Sequence, residues 1–387
     1  MELRRPKRIL MGPGPSNCHP CVLKAMAEPL LGHLDPEFLE IMDRTQDRLR
    51  RVMKTDNRLT LPISGTGSAG MEACLCNLVE PGDRVLVCIN GVFGTRMADI
   101  VKRLGGELHT LEAEWGKPFQ PEAVREAVAE CDPAVVAVVH AETSTGVLQP
   151  LEEFSRIVHG AGALLLVDAV TSLGGCEVEA DGWQIDALYS GTQKCLSCPP
   201  GLAPASFSDR AVDRIDAREK PVPSWYLDMS MVRNYWGSER TYHHTAPISM
   251  IYALDQALKV ILDEGLEARF ERHRVHHRAL VAGLEGMGLS MLVAPQFRLP
   301  MLNAVRIPES VEDIAVREAL LGEHHIEIGG GLGPLAGRVW RIGLMGHSCT
   351  RENVMRLLRA LEGILKAEGA PVRTGAAEAA EEVYDQQ

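Results

Sequence analysis

The heptapeptide from Leu164 to Val170, LLLVDAV, limits the possible folds more than any other stretch of the sequence. A continuous apolar run of this length reads as a strand buried on both faces, as in a parallel sheet covered by helices on each side. Asp168 interrupts the run. An ionised carboxylate there is costly unless a cation or a set of donors meets it. One crossover further on, the stretch DALYSGTQK passes from apolar residues into Ser190, Gly191, Thr192 and Gln193 and ends at Lys194. A parallel crossover returns the chain to the same edge of the sheet, so acid and lysine are expected at neighbouring strand ends. A lysine placed to form an imine, with an acid placed to keep a ring nitrogen protonated, is what pyridoxal phosphate asks of a protein.

The same alternation runs along much of the chain. Arg84 to Ile89 and Ala134 to Val139 read as further strands, and Gly94 to Leu104 as a helix, which leaves Phe93 in the intervening loop. An aromatic there either joins the core or stacks on a planar ring. Ala134 to Val139 runs into His140, Glu142, Thr143, Ser144 and Thr145. Three apolar strands therefore end in polar clusters, near His140, Asp168 and Lys194, on the edge where parallel sheets bind ligands. Upstream, Leu59 to Asn77 reads as a strand, a glycine turn and a helix start, an order that presents backbone amides to a phosphate. Gly65, Thr66, Gly67 and Ser68 are the candidate cradle. The loop Met11 to Asn17, MGPGPSN, is irregular and exposes its backbone. Arg341 stands in the strand-like VWRIG, either as an edge residue with its head in water or as a two-pronged clamp on a carboxylate.

With 387 residues, 45% of them hydrophobic and 24% charged, the chain suits a globular protein of about two domains. The expected division is an arm and loop over 1–20, a large domain over 21–262, a smaller α/β domain over 263–370 and a disordered acidic, alanine-rich tail over 371–387. Helical periodicity over Glu37–Met53, Ile248–Leu262 and Leu266–Leu284 fits that division. A net charge of −12 argues against nucleic acid and anionic membranes as partners. The apolar runs are too short for a membrane span and the N-terminus lacks a signal segment, so a cytoplasmic location is expected. The ten cysteines are expected to be reduced. Cys18 and Cys21, and Cys195 and Cys198, form two C-x-x-C pairs. They are read mainly as packing residues; the alternative is oxidation or metal capture that slows the Lys194 loop.

The motifs GPGPSN, LTLPISGTGS, ETSTGVLQPLE, LLLVDAVTSLGG, YSGTQK, TYHHT and VWRIGL follow one another in order. Over about Leu10 to Leu365 the chain resembles the class V aminotransferases of the pyridoxal phosphate fold-type I superfamily, most closely the alanine–glyoxylate and serine–pyruvate aminotransferases. The resemblance implies a mainly parallel α/β sheet flanked by helices, and a homodimer. It assigns Lys194 to the imine, Asp168 to the ring nitrogen, and Val170 and Phe93 to the two ring faces. Many relatives carry tryptophan at the position of Phe93 and histidine at that of Ser68. Thr66, Gly67, Ser68 and Gln193 fall at phosphate positions, joined by Tyr242 and Thr245 from a second subunit. Thr143 falls on the phenolic oxygen side. Arg341, with backbone near Gly12 and Gly14, would hold the substrate carboxylate, and no metal is implied.

The reaction implied by the resemblance is ping-pong transamination between a small neutral amino acid, alanine or serine, and glyoxylate or pyruvate. No second arginine is obvious for a distal carboxylate, although Arg96 or Arg233 is a candidate. The alternatives are another class V specificity, a cysteine desulfurase relying on Cys349, or a cofactor-binding protein without catalysis.

Overall fold

The computed structural model describes residues 6–386; the first five residues of the expected N-terminal arm lie outside them. A seven-stranded sheet forms the centre. Its strands, in chain order, are β1 (Leu59–Ser64), β2 (Arg84–Ile89), β3 (Glu107–Glu112), β4 (Val135–Val139), β5 (Leu164–Asp168), β6 (Ala187–Tyr189) and β7 (Leu202–Phe207). They lie in the order β1-β7-β6-β5-β4-β2-β3. Only β7 runs antiparallel to its neighbours β1 and β6; the other pairings are parallel. Every residue of β4 and β5 is buried, as a strand covered by helices on both faces must be. The β4–β5–β6 pairings bring Val139, Asp168 and Tyr189 into register at one edge.

A second, three-stranded antiparallel sheet is formed by β8 (Leu302–Arg306), β9 (Gly329–Gly330) and β10 (Val339–Gly343), with β10 in the middle. Two large hydrophobic cores result, with a small third cluster around Cys195, Met301 and Met345. One extends from Val22 to Ile261, and the other takes in Ala279 to Ala380 together with Met11. Residues Ile9–Leu10 pair with Ile326–Glu327 in a separate two-stranded sheet, which ties the N-terminal segment to the chain just before β9.

The tail expected to be disordered is instead helical over Ala376–Asp385. Its alanines permit close approach to the helix Leu266–Gly286. A Cβ on Gly283 would come within 2.8 Å of the Ala376 carbonyl oxygen and closer still to Leu358. Tyr384 Oη lies 2.9 Å from His276 Nδ1, and Glu381 pairs with Arg351. Small side chains that read as low complexity are here what a tight helix contact needs.

Candidate active site

Asp168 closes β5, 3% exposed. Tyr189 Oη donates to one carboxylate oxygen (2.7 Å) and the Val170 amide to the other (2.8 Å). Both donors are neutral, and burial raises the carboxyl to about 6 against their pull. Lys194 follows β6, buried, and its Nζ donates to the Pro13 carbonyl. Burial brings that amine down to about 8; the positive Arg341 adds to the fall, while Cys195, Asp168 and Glu142 oppose it. The loop of alternating glycine and proline makes this approach possible. Gly14 has φ of +106°, and a Cβ there would lie 2.6–2.9 Å from the lysine side chain. Ser16 Oγ holds the Lys194 carbonyl at 2.7 Å.

Arg341 lies on the central strand of the smaller sheet, so the edge-strand reading does not hold. Its Nε donates to the Gly330 carbonyl (2.6 Å) and its Nη1 to the Thr143 carbonyl (3.2 Å). Among the described residues, Nη2 has no partner. Burial brings this guanidinium down to about 10, and it remains a cation at neutral pH. Gly12 runs along β10, whose Gly343 amide donates to Met11 O at 2.7 Å. The N-terminal loop thus lies between the lysine and the arginine strand.

At the opposite side of the lysine loop, the helix Gly67–Leu78 starts at Thr66, whose side chain makes no capping bond. The Gly67 and Ser68 amides and the Thr66 hydroxyl are unpartnered among the described residues, and Thr66 and Ser68 are exposed. Val170 packs against Gly67 and Gly191. Gln193 Oε1 is buried without a partner. These open amides, the unspent oxygen of Gln193, the acid with only neutral donors and the nearby amine form a donor set that suits pyridoxal phosphate.

Phe93 is not in a loop. It is the second residue of the helix Val92–Arg103, whose N-terminus is held by Glu142 and Ser144. Glu142 accepts from the Phe93 amide (3.2 Å), and Ser144 Oγ accepts from the Val92 amide (3.0 Å). Arg96 lies over the Phe93 ring, 5.0 Å from its centroid, beside a cavity of about 500 Å3 that also borders Ser68 and Trp115. Arg233 is spent on Asp216 at 2.7 Å. His140 packs edge-on against Trp183, and burial brings it down to about 3, so it is a neutral core residue.

Tyr242 and Thr245 are exposed, 3.3 Å apart, on a loop anchored through its two histidines. His244 Nε2 lies 2.9 Å from Ser64 Oγ at the end of β1, and the two Nδ1 atoms of His243 and His244 are 2.8 Å apart. Tyr189 and the Ser64–His244 bond escaped the sequence reading. Glu142 was visible only as one member of a polar cluster.

The cysteines behave as core residues. Burial raises the Cys18 thiol to about 11 and Cys195 to about 12, and no cluster among the described residues suits a metal. Cys349 is fully buried and likewise raised to about 12, unlike the mobile nucleophile of a desulfurase.

The family model for class V aminotransferases matches residues 9–357. The chain is 43% identical to a (S)-ureidoglycine–glyoxylate transaminase of Bacillus subtilis, with 99% of this chain and 97% of the relative covered. It is 41% identical to an alanine–glyoxylate aminotransferase of Felis catus, covering 93% and 88%. The crystal structure of an alanine–glyoxylate aminotransferase from Nostoc superposes with a TM-score of 0.93 at 50% identity, covering 94% and 97%. A cysteine desulfurase from Thermococcus onnurineus, at 16% identity and TM-score 0.74, shares the fold alone. With its strand-end acid and lysine, its open helix N-terminus and a family match across most of its length, this chain belongs to the class V aminotransferases, pyridoxal phosphate enzymes that move an amino group between an amino acid and a 2-oxo acid.

Proposed function

We propose that the protein transfers the amino group of a small neutral amino acid, alanine or serine, to glyoxylate or pyruvate. The observation that carries this is Arg341. Its guanidinium is fixed by two carbonyls, one at Nε and one at Nη1, and Nη2 is unspent, which leaves one carboxylate-sized receptor near Lys194. The names of the relatives, which include glyoxylate, support the acceptor.

In this reading Arg341 holds the substrate carboxylate and so fixes the Cα proton relative to Lys194. Lys194 Nζ, brought down to about 8, is available as a base near neutral pH and takes that proton. Asp168 would hold the ring nitrogen, its carboxyl kept in place by Tyr189 and the Val170 amide. The amides of Gly67 and Ser68, with Thr66 and Gln193, would receive the phosphate. Phe93 and Val170 would bound the ring, with Thr143 towards its phenolic oxygen. When bound, pyridoxal phosphate supplies a covalent seat for the amino group and a sink for the electron pair left at Cα.

The working unit in this proposal is a homodimer in which Tyr242 and Thr245 complete the partner's phosphate site. Trp225, Tyr226 and Tyr242 are exposed, as are Leu23, Met26, Leu30 and Leu34; the Tyr242 ring lies 5.0 Å from His33, which links the two groups. An apolar surface of that kind fits a subunit contact. A cytoplasmic location belongs to the same proposal, and ten unpaired cysteines fit a reducing compartment.

The test is a half-reaction screen that follows the absorbance of the loaded enzyme with single amino acids, paired with the mass in solution. Alanine or serine should bleach the imine band and aspartate should not. Ureidoglycine is the donor to test beside them, because a relative matched over 99% of this chain is named for it. Bleaching by aspartate alone would overturn the assignment, and a monomeric active enzyme would remove the shared phosphate site.

A further inference from the structure

A cavity of about 520 Å3 lies beside the segment that follows Lys194, at the junction of the two cores. None of Pro13, Gly14, Asp168 and Arg341 lines it, so it is separate from the catalytic pocket. Its lining includes the apolar side chains Val22, Leu196 and Ile261. It also includes Arg269, Arg272 and Arg351 and the imidazoles of His19, His276 and His347. Glu264 is the only acid lining it among the described residues. Arg269 and Arg272 both pair with that carboxylate, each at 2.6 Å, so one negative charge faces two positive ones, while Arg351 pairs with Glu381, which does not line the cavity.

The imidazoles have unused nitrogens. His19 engages only Nδ1, on Cys21, and His276 only Nδ1, on Tyr384. Neither ring nitrogen of His347 is hydrogen-bonded among the described residues. Their arrangement does not suit a metal. Burial, His19 and the two arginines lower His347, and burial with Arg272 lowers His276 to about 4, so both rings are neutral and can donate N–H. A chamber of this size, lined by both apolar and basic side chains, has the dimensions of a small-molecule site.

We propose that this chamber binds a small organic acid with an apolar body, its carboxylate on His276, His347 and Arg351 and its hydrocarbon against Val22, Leu196 and Ile261. The occupant bears on the catalytic lysine through the backbone. Leu196 lines the chamber, Ser197 N donates to the Lys194 carbonyl (3.0 Å), and the His347 amide donates to Ser197 Oγ (2.8 Å).

The experiment is calorimetric titration of the loaded enzyme with hexanoate, and with hexanol and inorganic phosphate as partial probes. Hexanoate should bind saturably, one per chain, with hexanol and phosphate each at least about tenfold weaker, since each offers only half of the match. His347→Ala and Arg351→Ala should each weaken hexanoate about tenfold, while Arg341→Gln leaves its affinity unchanged. Arg351 is half-exposed but pairs with Glu381 of the C-terminal helix, so Glu381→Gln, which breaks that pair and keeps the arginine, is the control and should leave hexanoate binding intact. Absence of saturable binding overturns the proposal, as does binding lost only in Arg341→Gln, which places the acid in the catalytic pocket. Phosphate binding as tightly as hexanoate overturns the apolar half of the claim.

Discussion

Asp168 and Asp186 stand at opposite edges of the same pair of parallel strands, 3% and 2% exposed, and the protein treats them differently. Asp186, just before β6, is met by His159 Nε2, the Leu165 amide and Ser208 Oγ, each at 2.9 Å, and by Arg210 at 3.2 Å. Asp168, at the end of β5, has a phenol and one amide, and its carboxyl is raised to about 6. Burial is equal, so the difference lies in the partners. At one edge the fold supplies the counter-charge. At the other it leaves the acid with neutral donors alone, and the lysine beside it is also burdened by burial. A buried carboxylate with only neutral partners thus marks the ligand edge better than burial itself does.

The largest effect expected is at the amine. Lys194→Ala should lower kcat at least about a thousandfold with little change in Tm, because it removes a base without opening the sheet. Steady-state turnover close to the parent's would falsify the role. Next, Asp168→Asn should cost about a hundredfold in kcat. Asp186→Asn should leave kcat nearly unchanged and cost about 2–3 kcal/mol of stability, since it leaves Arg210 and His159 without their acid. Measuring kcat and denaturant midpoints for both variants tests the comparison directly; equal rate losses erase it. At the substrate side, Arg341→Lys should raise KM for the amino acid about tenfold with cofactor affinity unchanged, because one ammonium cannot hold both carbonyls and still present a donor to the carboxylate in the same place. Damage of the same size to both would move Arg341 away from the substrate.

The two buried groups also predict a pH response of opposite signs in cofactor-free protein. The Asp168 carboxyl keeps its proton to about 6, above its ordinary 3.8, so the folded state binds more protons and stability falls as pH rises through that window. Lys194, at about 8 instead of 10.5, binds fewer protons when folded, so stability rises with pH across that interval. Tm against pH should show both limbs, and Asp168→Asn should flatten the acid one alone. An unchanged acid limb in that variant assigns it to another group. The smallest effect is expected at Ser64→Ala, which removes the bond to His244 and should weaken cofactor binding by about 0.5–1 kcal/mol, read as dissociation of pyridoxal phosphate. No change there detaches the histidine loop from the phosphate site.

Much of the fold was readable from local patterns. The apolar runs of β4 and β5 and the glycine turn at Gly65 announce buried strands and a helix start, because burial and turn geometry act on residues close in sequence. Phe93 was misplaced by one structural step, because Glu142 and Ser144, distant in sequence, cap the helix that begins at Val92. The tail was misread for a similar reason. Alanines and glutamates carry little pattern alone, and only the closeness of Gly283 and the bonds to His276 and Arg351 turn them into a packed helix.

The sequence alone determined the chemistry available: one lysine and one acid at neighbouring strand ends, an arginine in a strand, and amides before a helix. Tertiary structure decided which groups would be answered and which left open. It supplied Asp186 with Arg210, placed Tyr189 against Asp168, and put β10 in the middle of its sheet so that Arg341 is buried with one nitrogen unspent. The physical reason is that the cost of burying a charge depends on every group within a few ångströms, and those neighbours are brought together by strand order and domain packing, which no short stretch of sequence encodes.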